Sequence, residues 1–233
     1  MCCFTNDVVA VSGTNIYARL DGDRQVLAYA MSLDTRQPTA MVLPLPVAPG
    51  AVHFIDLSGS PEMFSELAQL FETPSRGFGP PQMLSLEVHQ VGSFVASFVP
   101  TRADFARLDP QFRISDRLFD AVPQYADYGF AVFQLARGKH DVHPMAFTFP
   151  TRAPDRLFFP TVHVHDGKVH RTARFDHSLF YQHAALAKPE GVFRGDPVAW
   201  QPVRDPYAGV ALAGMPIARR SLHGKLANAD VWI

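Results

Sequence analysis

The sequence predicts an α+β fold, mainly β, with antiparallel sheets in a sandwich-like stack and two or three short helices. Two observations carry that prediction. Most apolar segments are short and either alternate or run continuously, as strands do, and two Asp-Gly pairs, at 21–22 and 166–167, sit between such segments as hairpin turns. Helical periodicity is confined to brief stretches. No linker divides the 233 residues convincingly, so the whole chain, 1–233, reads as a single domain.

Taken in order, residues 8–11 and 15–20 read as strands, and Asp21-Gly22 turns the chain into a strand over 25–31. Residues 40–47, AMVLPLPV, are apolar enough for a buried strand, and their prolines assign it to an edge or a bulge. Ser60 and Pro61 open a helix whose one face carries Met63, Phe64, Leu67, Leu70 and Phe71. Residues 73–81 read as loop, 83–91 as an alternating strand and 92–99 as its return. Thr101 with Asp104 caps a short helix containing Phe105 and Leu108, and 115–122 reads as another. Strands resume over 128–135, 144–149, 157–165 and 168–175, while 176–186 is ambiguous, with a helix capped by Asp176 as one reading. The tail from Gly191, rich in Pro and Gly, is expected to wrap the surface without regular structure. ARLDGDRQVLAYAM followed by AMVLPLP echoes in layout VFQLARGKHDVH followed by PMAFTFP, which suggests a duplicated β unit, although chance competes with that reading.

Composition narrows the function classes. The hydrophobic share of 47% with 19 Phe supplies a core, and a charged share of 18% argues against disorder. A formal net charge of −1 lacks the basic footprint of a nucleic-acid binder. The apolar stretch 40–55 is short and broken by Pro44, Pro46 and Pro49, so no membrane span is expected. The two cysteines, Cys2 and Cys3, form no disulfide framework, and no secretory signal opens the chain. The expected setting is cytoplasmic, with a partner, small molecule or protein, left open.

The stretch VHVHDGKVH, residues 162–170, concentrates three histidines around Asp166-Gly167. With that pair as a two-residue loop, His163 faces His170 and His165 faces Lys168. Because side chains alternate, His163, His165 and His170 share one face, opposite Val162, Val164 and Val169. Same-face positions about 5.5–7 Å apart let imidazoles converge on one ion. The site so read holds a divalent transition metal, Zn²⁺ first with Cu²⁺ or Fe²⁺ as alternatives, and an open position would activate water. Asp176, His177 or His143 would serve as a fourth or supporting group. The plainer reading is a hairpin whose polar face happens to be histidine-rich, acting as a binding or interaction module.

MCCF opens a different reading. Removal of Met1 would leave Cys2 with its thiol beside its own α-amine, a nucleophile carrying its base. With the following strand and the Arg19/Asp21 pair in ARLDG, the first thirty residues or so resemble the N-terminal-nucleophile hydrolases of the cholylglycine-hydrolase and glutamine-amidotransferase kinds. That resemblance implies Cys2 as a catalytic nucleophile, although the spacing departs from that family. The run from AMVLPLPV through PMAFTFPT is similar to uncharacterised bacterial β-rich domains, a resemblance that implies no activity.

Overall fold

The structure, a computed structural model, describes residues 2–72, 95–187, 192–201, 203 and 205–233, with backbone alone at Cys2, His140, Ala187 and Val192. The strands expected over 83–91 and at 92–94, and the loop over 73–81, lie outside the described residues.

Among the described residues the strands are β1 (Cys2–Phe4), β2 (Ala10–Asp21), β3 (Arg24–Thr35), β4 (Thr39–Leu45), β5 (His53–Ile55), β6 (Val95–Val99), β7 (Gly129–Leu135) and β8 (Gly138–Pro150). They continue with β9 (Phe158–Phe159), β10 (His163–Val164), β11 (Thr172–Gln182), β12 (Val192–Phe193), β13 (Asp196–Ala199), β14 (Ile217–Ala227) and β15 (Val231–Trp232). Two α-helices, α1 (Met63–Gln69) and α2 (Asp116–Asp120), join short 3₁₀ turns such as Arg102–Arg107. The fold is α+β and mainly β, as expected.

One sheet runs β10-β1-β4-β7-β6, and a second runs β12-β13-β14-β11-β2-β3-β8-β5. Pairing is antiparallel except for β1 with β10 and β2 with β11. Alternation along the strands separates three apolar layers. Met41, Leu43, Ala131 and Phe133 of the first sheet meet Ile16, Leu27, Tyr29, Phe147 and Leu179 of the second. Val42, Phe130 and Val132 face outward beneath Phe105, Leu118 and Phe119. On the far side Tyr17, Ala28 and Phe180 lie beneath α1 and the 199–211 segment, which contributes Tyr207 and Val210. Both sheets are therefore covered on both faces over much of their area, while β14 from Ser221 to Ala227 stays largely exposed.

Buried polar groups fasten that last cover. The Arg19 guanidinium donates to the carbonyls of Val210 (2.7 Å) and Gly209 (2.8 Å), and Gln182 donates to those of Leu212 and Met215. Arg19 also stands 3.7 Å from Asp21. Its guanidinium thus binds backbone carbonyls of the cover segment.

Several element expectations need correction. β4 lies inside its sheet, between β1 and β7, and is buried throughout. Proline is tolerated there because β1 pairs only with Met41 and Val42, so Pro44 lies beyond the reach of β1 on a locally open side. Residues 176–182 continue a strand instead of opening a helix, and a 3₁₀ turn follows at Ala184–Ala187. The tail is far more regular than its Pro and Gly content suggests: β14 pairs with β11 from Ala218↔Tyr181 to Ala227↔Thr172. The echoed halves also differ in place. β2 and β3 pair within one sheet, whereas β7 and β8 belong to different sheets. No helix among the described residues is long and apolar enough to cross a membrane.

Candidate functional site: histidines between the two sheets

The expected hairpin over 161–172 does not form. His163 takes Cys2 on parallel β1 as its Cα partner, and β10 is only two residues long. Two local causes are visible. Of the turn pair only Gly167 is left-handed, at φ 68°, whereas a type I′ turn needs positive φ at both positions. The Asp166 carboxylate instead accepts from the Lys168 N–H at 3.1 Å, an Asx turn.

The second cause is the segment that follows β14. Asn228 Oδ1 accepts from the His163 N–H at 2.7 Å, and its Nδ2 donates to the carbonyls of His163 (3.0 Å) and His170 (2.9 Å). Asp230 Oδ1 accepts from the N–H groups of Thr161 and Val162. Residues 228 and 230 thus occupy the backbone groups that a hairpin partner would have used.

The three expected histidines separate accordingly. His163 and His165 stay together, their rings stacked at 4.9 Å and 18° from parallel. His170 is mostly exposed, and its Nε2 bonds Asp166 Oδ2 at 2.9 Å. The third ring beside His163 is His177 of β11, with Nε2 to Nε2 at 3.0 Å. Phe175 packs on His163 at 4.5 Å, and Phe4 meets His165 edge-on at 5.5 Å. The His163–His177 contact joins an edge strand of one sheet to an interior strand of the other.

His177 is 1% exposed; the sequence offers it only as a fourth or supporting group, because 176–186 also admits a helical reading. A signal was present. Phe175, His177, Leu179 and Tyr181 alternate with Asp176, Ser178, Phe180 and Gln182, which places His177 on the inner face of a strand.

Burial sets the electrostatics. Desolvation pushes His163 down to about 3 and His165 down to about 4, with the neighbouring rings adding to both shifts. Desolvation also lowers His177, against the pull of Asp176. All three rings are neutral at pH 7. Asp176 Oδ1 stands 3.4 Å from His177 Nδ1, within range for charge attraction but without hydrogen-bond geometry. The His177 ring and the Gly13 N–H, which donates to Oδ2 at 2.8 Å, hold the Asp176 carboxyl below the usual range. That neighbour favours a proton on Nδ1 of His177, so Nε2 of His177 accepts and His163 Nε2–H donates. Among the described residues, His165 Nε2 and His177 Nδ1 are buried without a hydrogen-bond partner.

The cluster lines a cleft of about 490 Å³, together with Val11, Thr14, Asp166, His170, Phe175 and Asn228. Among the described residues no group of three or more His, Cys, Asp or Glu side chains is arranged to hold a metal ion. His143 lies on β8 with its Nδ1 against the Pro144 carbonyl, and His183 stacks on Phe193. Cys3 is buried against the outer apolar layer. Cys2 is placed by its backbone register alone, opposite His163.

No protein-family model matches the chain, and no curated protein matches it. Solved structures do. Baculovirus P35 superposes with a TM-score of 0.57 at 14% identity, covering 99% of this chain and 98% of that one. A mutated baculovirus P35 after caspase cleavage gives a TM-score of 0.50 at 13% identity, covering 95% and 99%. At such identities the likeness is one of fold, and it runs from end to end of both chains.

Proposed function

We propose that this chain is a binding protein engaged by a protease of the caspase kind. The single observation that carries the reading is the end-to-end likeness to baculovirus P35, a protein whose mutated form was solved after caspase cleavage. The architecture is compatible with such a role. Much of both faces of both sheets is covered, so a partner would meet loops, strand edges, the exposed end of β14 or the histidine cleft. This reading belongs with the interaction-module alternative that the sequence left open.

The test is direct. The full chain is incubated with a panel of caspase-type proteases, residual protease activity is read with a fluorogenic peptide, and the chain is read by intact mass. The reading expects at least one protease to cleave the chain at a single site or to lose activity in proportion to added chain. An intact chain and undiminished activity across the panel, at a tenfold molar excess (roughly a saturating excess for nanomolar binding), would discard it.

A further inference from the structure

We propose that His163 and His177 bind a divalent transition-metal ion, such as Zn²⁺ or Cu²⁺, and so clasp the two sheets together. The two Nε2 atoms are 3.0 Å apart. Two imidazole nitrogens at about 2.0–2.1 Å from one ion, subtending between a right and a tetrahedral angle, stand roughly 2.9–3.4 Å apart. The spacing that now holds a shared proton therefore suits two ligands of one ion with little movement of either ring.

The supporting chemistry is on the same two strands. The Nε2 atoms of His163 and His177 face each other across the two strands, and neutral imidazole is the form that ligates metals. His163 Nε2 becomes a ligand when its proton moves to Nδ1, a tautomer change with no net proton release. Asp176, 3.4 Å from Nδ1 of His177, needs only a small approach to serve as the carboxylate that orients a ligating imidazole. His165, stacked on His163 with its Nε2 buried and without a partner among the described residues, stands next to the pair as a third nitrogen. The cleft on the open side admits the water molecules that complete the coordination. The site differs from the one expected from sequence by one residue: His177 replaces His170, whose ring is turned to Asp166.

The experiment uses the full chain stripped with a chelator. It is titrated calorimetrically with ZnCl₂, and a parallel sample with one equivalent of Cu²⁺ is examined by electron paramagnetic resonance. The expected result is one ion per chain and nitrogen couplings from at least two imidazoles. Loss of a ligand should weaken Zn²⁺ binding at least as much as loss of a supporting group does, about 10-fold or more, in His163→Ala and in His177→Ala. His170→Ala should bind as the parent does. Absence of uptake, a spectrum with one imidazole or none, unchanged affinity in His163→Ala, or loss of binding in His170→Ala would each overturn the proposal. His163 is half-buried, so His163→Ala with the copper spectrum carries the test should His177→Ala fail to fold.

Discussion

The Asp21-Gly22 turn closes a hairpin paired from Ala10↔Asp34 to Asp21↔Arg24, whereas the Asp166-Gly167 turn closes none. Both glycines are left-handed, at φ 61° and 68°, so a left-handed glycine does not by itself close a hairpin. The flanks do. Strands β2 and β3 bury alternate residues in two separate apolar layers, with Leu27 and Tyr29 on one side and Val26 and Ala28 on the other. Around the second turn Lys168 and His170 are exposed, and Asn228 and Asp230 satisfy the backbone of 161–163 and the carbonyl of His170. A turn dipeptide proposes a hairpin, and burial along both arms decides whether it forms.

That comparison can be broken first at its strong end. Leu27→Ala opens a cavity between the sheets and should cost about 2–5 kcal/mol in denaturant unfolding. Val169→Ala, on a half-buried residue of the unpaired arm, should cost less than about 1 kcal/mol. Equal costs at the two positions would show that the arms are buried alike.

Acid should strike the second region first. His163 and His165 have folded pKa values of about 3 and about 4, below the ordinary 6.5, so the unfolded chain holds more protons between those limits. Chelator-treated protein should keep its full stability above pH 6.5 and lose it as pH falls from 6.5 towards 4. Amide exchange should report earlier opening at 161–165 than in β3. A stability flat over that range would mean that these rings are hydrated and titrate normally.

Asn228→Ala removes three hydrogen bonds to the backbone of His163 and His170, a loss of about 1–3 kcal/mol by thermal or denaturant unfolding. A neutral result would mean that water replaces the amide freely. Substitutions at the two turn glycines sharpen the comparison from the other side. Gly22→Ala and Gly167→Ala meet no atom within 4 Å of the added Cβ, so each should cost only the left-handed backbone penalty, about 1–2 kcal/mol, and by similar amounts.

The strands with two buried faces were legible in the sequence because their apolar residues are continuous or alternate cleanly, as along residues 25–31 and 40–45. β14 was not. Its sequence, IARRSLHGKLA, is exposed over most of its length and carries no apolar period, so its place is set by pairing with β11. At the candidate site the density of histidine was readable, and His163 with His165 did stay together. The partner ring was not, because the pairing of 163 depends on Asn228 and on Cys2, residues at opposite ends of the chain. Local pattern carried the turn, and distant contacts carried the register.

The partnership of His163 with His177 is the central structural claim, and a double-mutant cycle on unfolding free energy tests it most directly. The pair His163→Ala and His177→Ala should show a coupling of about 0.5–3 kcal/mol, while His163→Ala with His170→Ala should add to within roughly 0.3–0.5 kcal/mol. Coupling between His163 and His170, with additivity between His163 and His177, would restore the hairpin register and contradict the account.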